Sequence, residues 1–289
     1  MDTITHTLFG LTLYGACNKT GMTAREKRAL LLTTVAGSQI PDMDVISQWW
    51  DTMGRYQMWH RGLTHSVFLV PVWAALLALL TRVLYGVRGW KWFWIPCLAV
   101  FIHDTSDLFN AWGTGYFEPF SSKRVAFGTI PIVDVVFWVL MLGGFLLARF
   151  RPNTWQPHRI YRGVWIAMLL HVSVQSGQGY LLYEQASEHY DQVALSAGFV
   201  PGQFSVIGKK DGVVTISESV LLREPRLVVE VESQEGADMD RLFALNPKAQ
   251  TLYEWSPFVV KVDETERLGI YDPRLYRNGQ FFLSEYANK

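Results

Sequence analysis

Histidine and aspartate residues gather in the first 107 residues, at spacings that suit a metal site. The chain has seven histidines, and four of them precede Asp104: His6, His60, His65 and His103. Three aspartates accompany them in the segments PDMD and HDTSD, namely Asp42, Asp44 and Asp107. His103 and Asp107 are four residues apart, so on a helix both side chains project from one face and can bind the same ion.

Imidazoles and carboxylates together indicate which ions such a site would take. Neutral imidazoles and carboxylates suit Zn²⁺, Mn²⁺ or Fe, and a mixed cluster of more than four ligands can hold two ions. Carboxylates near a membrane boundary are costly to bury unless they are paired or coordinated. We therefore predict one or two divalent ions, with Zn²⁺ as first choice, bound by His6, Asp42, Asp44, His60, His65, His103 and Asp107.

Each of these residues also has a structural interpretation when taken alone. An HxxxD pair is mostly structural, PDMD can end a helix or shape a turn, and His6 can be an interior histidine. Their number and common placement favour the metal site. Asp104 points away from the face of His103 and is predicted to support the site, as is Asp134, which is expected to pair with Lys123 or Arg124. Three histidines are assigned structural roles: His158, His171 and His189.

The composition favours a membrane protein, since 49% of the 289 residues are hydrophobic and only 18% are charged. Residues 66–81 are uncharged and predict a membrane helix. Further helices are predicted at 92–102, 130–148 and 164–182, and two shorter arms at 3–18 and 29–41. The predicted fold is a mostly α-helical integral membrane domain with four to six membrane-embedded helices (residues 1–182), followed by a small extramembrane antiparallel β domain (183–289).

Charge is unevenly distributed between these two parts. Residues 1–182 carry 15 Lys/Arg and 9 Asp/Glu, whereas residues 183–289 carry 11 and 17. No long basic stripe is present, which disfavours nucleic acid as a partner. Lys and Arg are most frequent in the turns at 19–28, 82–91 and 149–162, which the positive-inside rule assigns to the cytoplasm. A multi-pass protein of a bacterial inner membrane would then carry its metal site and tail on the periplasmic side.

The order of motifs resembles one known family. MDTITHTLFG, GSQIPDMDVI, HRGLTHS, HDTSDLFNAWGT, EPFSSKR and IPIVD follow one another over residues 1 to about 140. This run is similar to the LexA-regulated, inner-membrane metal-dependent hydrolases, the YdjM-like family. The resemblance implies a membrane-bound hydrolase whose metal ligands map onto the seven residues named above. Val135 follows Asp134 where the family pattern has proline.

A metal-dependent hydrolase is the predicted function. A bound ion would activate water and polarise an ester oxygen, with Asp42 or Asp44 as general base and Arg61, Lys123 and Arg124 available to hold a phosphate. A site at a membrane suggests a lipid or lipid-linked phosphoester as substrate. Contact with lipid headgroups would account for these three cations equally well. The HExxH and GxSxG motifs of other hydrolases are absent. The alternative is a metal-binding transport or structural protein, with the polar residues 173–178 as a path. The sequence does not fix the oligomeric state.

Overall fold

The N-terminal part of the protein is helical, with irregular segments between its second and fourth helices. The structure is a computed structural model that describes residues 1–150, 155–221, 223–277 and 279–289. Two 3₁₀ segments, Ile40–Trp49 and Leu63–His65, separate helices that belong to one packed unit. The helices are α1 (Thr3–Ala16), α2 (Ala24–Gly37), α3 (Tyr56–Trp59), α4 (Val70–Tyr85), α5 (Lys91–Asp107), α6 (Val135–Phe150) and α7 (Pro157–Ser187).

Local sequence explains where the first two helices begin. The Asp2 side chain accepts a hydrogen bond from the backbone N–H of Thr5 and so caps α1. Helix α2 begins with a capping box, in which Thr23 and Glu26 satisfy each other's backbone N–H groups. Pro41 follows α2 and belongs to the 3₁₀ segment, as expected for a residue that cannot continue a helix.

Two glycines allow α1, α2 and α5 to approach one another closely. A Cβ atom at Gly10 would lie 2.8 Å from the backbone oxygen of Thr34, and one at Gly37 would lie 2.8 Å from the Cβ of Ala99. Only glycine fits such contacts without displacing a neighbouring helix. The glycines therefore set the distance between the helices that carry the candidate site.

The predicted domain of four to six membrane-embedded helices is wrong. Helices α4 and α6 have 16 residues each, which gives about 24 Å at 1.5 Å per residue, against roughly 30 Å of hydrocarbon. Within the described ranges, no single helix is both long and apolar enough to cross a membrane. The segments Tyr56–His65 and Val70–Tyr85 meet the criteria of length and composition only together, and they are bent by 71°.

The C-terminal part consists of antiparallel sheets and two helices. Strands β1 (Gln192–Ala197), β2 (Gln203–Lys210), β3 (Val213–Val220) and β4 (Arg226–Glu232) form one sheet in that order. Strands β5 (Val260–Asp263), β6 (Arg267–Tyr271) and β9 (Ser284–Asn288) form another, and β7 (Tyr276–Arg277) pairs with β8 (Gln280–Phe281). Helices α8 (Met239–Leu245) and α9 (Pro247–Trp255) cover the three-stranded sheet.

Helix α7 joins the two parts. Val164 and Met168 pack in a helical core with Phe9, whereas Leu182 and Ala186 pack against the first two strands. The boundary predicted at residue 182 thus falls inside a continuous helix. The division into two separate domains stays a prediction.

Candidate metal centre

Helix α5 contributes His103 and Asp107, which both lie inside the protein with no solvent-exposed surface. The Nδ1 of His103 donates a 2.8 Å hydrogen bond to the backbone oxygen of Ser38, just after α2. This bond fixes the tautomer, so that the Nε2 lone pair faces the interior. The structure therefore places the HxxxD pair on one helix face, as its spacing predicts.

Four further predicted ligands lie between α2 and α4. Asp42 and Asp44 belong to the first 3₁₀ segment, His60 follows α3, and His65 ends the second 3₁₀ segment. Asp44 accepts hydrogen bonds from His60 Nδ1 at 3.0 Å and from the backbone N–H of Arg61 at 2.9 Å. The Thr64 hydroxyl donates to the same carboxylate at 2.9 Å and lies 3.1 Å from His65 Nδ1. Asp44 thereby ties the HRGLTH segment to the PDMD segment.

The side chains meet in a compact cluster around Asp42. His65 Nε2 lies 3.3 Å from Asp42 Oδ1 and 3.1 Å from His103 Nε2. His65 Nε2 is also 3.6 Å from Asp107 Oδ2. Two groups of possible ligand atoms, each within 4.8 Å of one another, share Asp42. One group is Asp42, His65, His103 and Asp107, and the other is Asp42, Asp44 and His60.

His6 from α1 completes the set of seven predicted residues. Its ring stacks on that of His103 with centroids 3.7 Å apart, and its Nε2 lies 3.4 Å from Asp107 Oδ1. The Met1 amino group also contacts Asp107 Oδ1. All seven predicted ligands therefore lie in one cluster, to which α1, α5 and the loops after α2 contribute.

Several buried donor atoms in this cluster have no hydrogen-bond partner among the described residues. They include both ring nitrogens of His6, Asp42 Oδ1 and Asp107 Oδ2. The two carboxylate oxygens have ion-pair contacts, with His65 and Arg61, that lack hydrogen-bond geometry. Buried polar atoms are normally satisfied, and a cation is the group that carboxylate oxygens and imidazole lone pairs would jointly bind. The donor set therefore fits a divalent metal ion.

The electrostatics of the two adjacent imidazoles differ. Burial lowers the pKa of His103 to about 4, so this ring is neutral and able to act as a ligand. Burial also lowers the pKa of His65, but its contacts with Asp42 and Asp44 outweigh that effect and raise it above the ordinary value. Burial alone would raise the pKa of both carboxyls, but contacts with His103 and His65 hold the pKa of Asp42 below the usual range. Contacts with His60 and His65 do the same for the pKa of Asp44.

Arg61 links the cluster to the segment after α5. Its Nε lies 2.9 Å from Asp107 Oδ2, and its terminal nitrogens donate to Asn110 Oδ1 at 2.7 Å and to the Met1 backbone oxygen at 2.9 Å. Burial lowers the pKa of Arg61 to about 10, which leaves the guanidinium charged at neutral pH. These contacts engage all three nitrogens of the guanidinium. The role of Arg61 in holding a phosphate stays a prediction.

Other predicted phosphate-binding or supporting residues have different partners. Arg124 donates to the backbone oxygens of Met58, His60 and Gly113 and so braces the loops, and its role in holding a phosphate stays a prediction. Asp134 contacts His171 Nε2 at 2.9 Å, and its expected pairing with Lys123 or Arg124 is wrong. Asp104 is buried with both carboxylate oxygens unpartnered among the described residues, and burial raises its pKa.

Two of the polar residues predicted as a transport path contact segments outside α7. Gln175 accepts a hydrogen bond from the backbone N–H of Gly202 at 2.8 Å. The Ser176 hydroxyl lies 3.1 Å from that of Thr129. These groups hold the first hairpin and the loop before α6 against α7.

Two cavities reach the cluster from different sides. A cleft of about 540 Å³ is lined by Asp42, His60 and Arg61, with Tyr56 and Trp112 on its walls. A second cavity of about 730 Å³ lies between the loops and α9, and Asp44 and Thr64 line it. The cluster is therefore accessible even though several of its members are buried.

Four contributors to this arrangement were not predicted: Asn110, Thr64, Tyr56 and the Ser38 carbonyl. Tyr56 stacks on His60 with ring centroids 5.2 Å apart. The four-residue spacing of these two rings is the one sequence signal that could have indicated their contact. A hydrogen bond to a backbone oxygen, such as that of Ser38, does not depend on residue type, so the sequence gives no signal for it.

Comparison with known proteins gives the family and little beyond it. The model of the YdjM inner membrane protein family matches residues 1–181, which include all seven clustered residues. An uncharacterised protein of Bacillus subtilis (strain 168), YfhP, is 32% identical over 151 residues, which cover 51% of this chain and 46% of that protein. The chain thus aligns with less than half the length of this curated relative. No solved structure matches the chain.

Proposed function

This chain belongs to the YdjM inner membrane protein family, as the order of its motifs indicated, and on that basis we propose that it is a metal-dependent hydrolase. The observation that carries the proposal is the sharing of Asp42 by two groups of clustered carboxylates and imidazoles. A shared carboxylate suits one divalent ion or an adjacent pair. Zn²⁺ is the first choice for this donor set, and Mn²⁺ or Fe are alternatives.

A divalent ion bound here would supply a water of lowered pKa and would polarise the oxygen of an ester. The protein's own residues have distinct roles around it. The ion would be held by His6, Asp42, His65, His103 and Asp107. Asp44 positions the two histidines of the HRGLTH segment. Asp42 faces the cluster and also lines the open cleft, so the carboxylate that both ligand groups share would present the bound ion to a substrate in that cleft.

The proposed substrate is a lipid or lipid-linked phosphoester. Membership in an inner membrane protein family supports a lipid as substrate. The cleft next to Asp42 also combines charged residues with the apolar side chains of Met43, Val45, Trp112 and Ile132. Arg61 lines this wall and stays charged at neutral pH, so it supplies a cation beside the position proposed for the phosphate.

Metal content and turnover test this proposal together. Protein purified in detergent without chelators should contain one or two ions per chain by mass spectrometry, and Asp107→Asn and His103→Gln should lose them. His189→Gln, at an exposed histidine outside the cluster, is the matched control and should retain them. Wild-type protein should hydrolyse dioleoyl phosphatidic acid or bis(p-nitrophenyl) phosphate, and Asp42→Asn should not. Bound metal without turnover of either compound would contradict the hydrolase and favour a metal-binding protein.

We also propose that the cluster and the C-terminal sheets face the periplasm, because Lys and Arg are most frequent in the turns away from the cluster. A single cysteine introduced by Ser122→Cys, with Cys17 and Cys97 replaced by alanine, should react with a membrane-impermeant thiol reagent in spheroplasts. Labelling only after lysis would place the site in the cytoplasm.

A further inference from the structure

An apolar groove of about 550 Å³ lies beside the metal centre and is not used by the cluster. Side chains of α1, α5, α6 and α7 line it, including Leu13, Phe101, Phe137 and Leu169. Its polar side chains are largely engaged elsewhere, because Ser106 donates to the backbone oxygen of His103 and Thr105 contacts the hydroxyl of Tyr116. The groove therefore presents a nearly continuous hydrocarbon surface.

The groove and the catalytic cleft share a wall. Met1 lines both the apolar groove and the cleft that contains Asp42, His60 and Arg61. Ile130 lines the groove and a smaller apolar cavity of about 270 Å³, and Ile132 lines that cavity and the cleft. Single side chains therefore separate the polar cleft from the apolar groove and from the smaller apolar cavity.

One polar atom at this groove lacks a partner. The indole Nε1 of Trp165, a residue of the groove wall, is buried with no hydrogen-bond acceptor among the residues described. A buried indole N–H normally finds a partner. The carbonyl oxygen of an acyl ester is an acceptor that would enter an otherwise apolar groove together with its hydrocarbon chain.

We infer that this groove binds one acyl chain of a membrane lipid whose phosphorylated head lies in the cleft beside Asp42. The inference rests on the proposed function for its polar end. A volume of about 550 Å³ lies within the usual range for ligand pockets, roughly 300–1,000 Å³. Leu98 and Leu169 are about half exposed at the groove, so a chain can enter from a surrounding lipid phase. Substrate selection would then depend on chain length as well as on the head.

Two neighbouring leucines on α7 provide a matched pair of variants. Leu169 lines the groove and is 62% exposed, whereas Leu170 does not line it and is 64% exposed. Leu169→Trp should narrow the groove, and Leu170→Trp should add the same bulk outside it. Neither residue belongs to the metal cluster, so both variants should keep the wild-type metal content.

Photo-cross-linking detects acyl-chain binding without any turnover. The probe is phosphatidic acid with a diazirine at mid-chain, in detergent micelles, with cross-linked peptides mapped by mass spectrometry. Wild-type protein should cross-link within residues 98–106, and excess dioleoyl but not dibutyryl phosphatidic acid should compete. Leu169→Trp should reduce this cross-linking by roughly tenfold, and Leu170→Trp should leave it unchanged.

The outcomes separate the groove from the hydrolase. Competed cross-linking in a protein without turnover would support the groove and contradict the hydrolase. Turnover with equal rates for long and short chains, together with cross-links spread evenly over the apolar helices, would overturn the groove and leave the hydrolase standing. Equal cross-linking in both tryptophan variants would also overturn it.

Discussion

Arg274 Nη1 donates a 2.5 Å hydrogen bond to the backbone oxygen of Ala111, and so joins the C-terminal sheets to the segment that follows α5. The same guanidinium pairs with Asp272 at 2.6 Å and lies over the ring of Trp255. Trp255 in turn packs against Trp112, a residue of the cleft that Asp42 lines. A buried ion pair of the tail thus supports the wall of the candidate site.

Arg274→Ala should destabilise the protein by about 3–5 kcal/mol, because it leaves the Asp272 carboxylate buried without its cation. Chemical denaturation in detergent, followed by tryptophan fluorescence, measures this loss. The control is Arg267→Ala, which breaks an exposed ion pair with Glu264 and should leave the free energy of unfolding almost unchanged. Equal effects of the two substitutions would show that the Arg274 pair is not a stabilising contact.

Thr64→Val should weaken metal binding by roughly 10–100-fold while the fold is kept, because residues that orient ligands contribute to affinity at that level. The hydroxyl is lost from its contacts with Asp44 and His65. Competition with a chelator of known affinity provides the measurement, and circular dichroism monitors the fold. Thr64→Ser retains the hydroxyl and should bind metal as the wild type does. If the valine variant does so too, Thr64 does not position the ligands.

Gly37→Ala should destabilise the protein by about 1–3 kcal/mol, because the new methyl group would overlap that of Ala99. Ala99→Gly alone should cost about 1 kcal/mol through lower helix propensity. The double variant should lose less free energy than the two single losses together, since removing one methyl makes room for the other. Strict additivity of the three thermal or chemical denaturation results would mean that α2 and α5 are not in close contact here.

Glu235 gives a stability change in a defined acidic range. Burial opposes ionisation, but hydrogen bonds from Lys209 and Lys261 lower the pKa of Glu235 to about 2. The unfolded chain has a value near 4.3, so the stabilisation is complete above about pH 4.5 and disappears as the pH falls towards 2. Because the carboxylate is 45% exposed, solvent screening should keep this contribution below about 1 kcal/mol.

Glu235→Gln provides the measurement of that contribution. Wild type and variant should differ in the free energy of unfolding near pH 6 and should converge as the pH approaches 2. A difference that stays constant over this range would assign the effect to packing instead of charge.

The HxxxD pair of the candidate cluster was predictable because it depends on residue type and local spacing. Asp107 lies one helical turn after His103, and that relationship holds in any helix that contains both. The partners of Asp134 and Arg124 were not predictable, since His171 and the backbone of Met58 come close to them only through the tertiary fold.

Helix lengths were mispredicted for a similar reason. Residues 66–81 read as one uncharged helix, but the backbone N–H of Val67 bonds to the oxygen of Tyr116 and the helix begins only at Val70. Apolar composition indicates which segments are buried or in lipid. It does not indicate where a tertiary contact, such as that of Val67 with Tyr116, sets the end of a helix. Helices α8 and α9 were missed within a stretch that was read as strands alone.

Helix α7 has 31 residues and is packed at one end against α1 and at the other against the first sheet. In mechanical terms α7 is a rigid rod held at both ends. The helix is continuous through residue 182, so the backbone has no hinge there. Any rotation of the sheets relative to the helices that carry the candidate cluster must bend α7 or break its packing at one end. A force on the C-terminal sheets is therefore transmitted through α7 to the helical core of Phe9, Val164 and Met168, next to the candidate cluster.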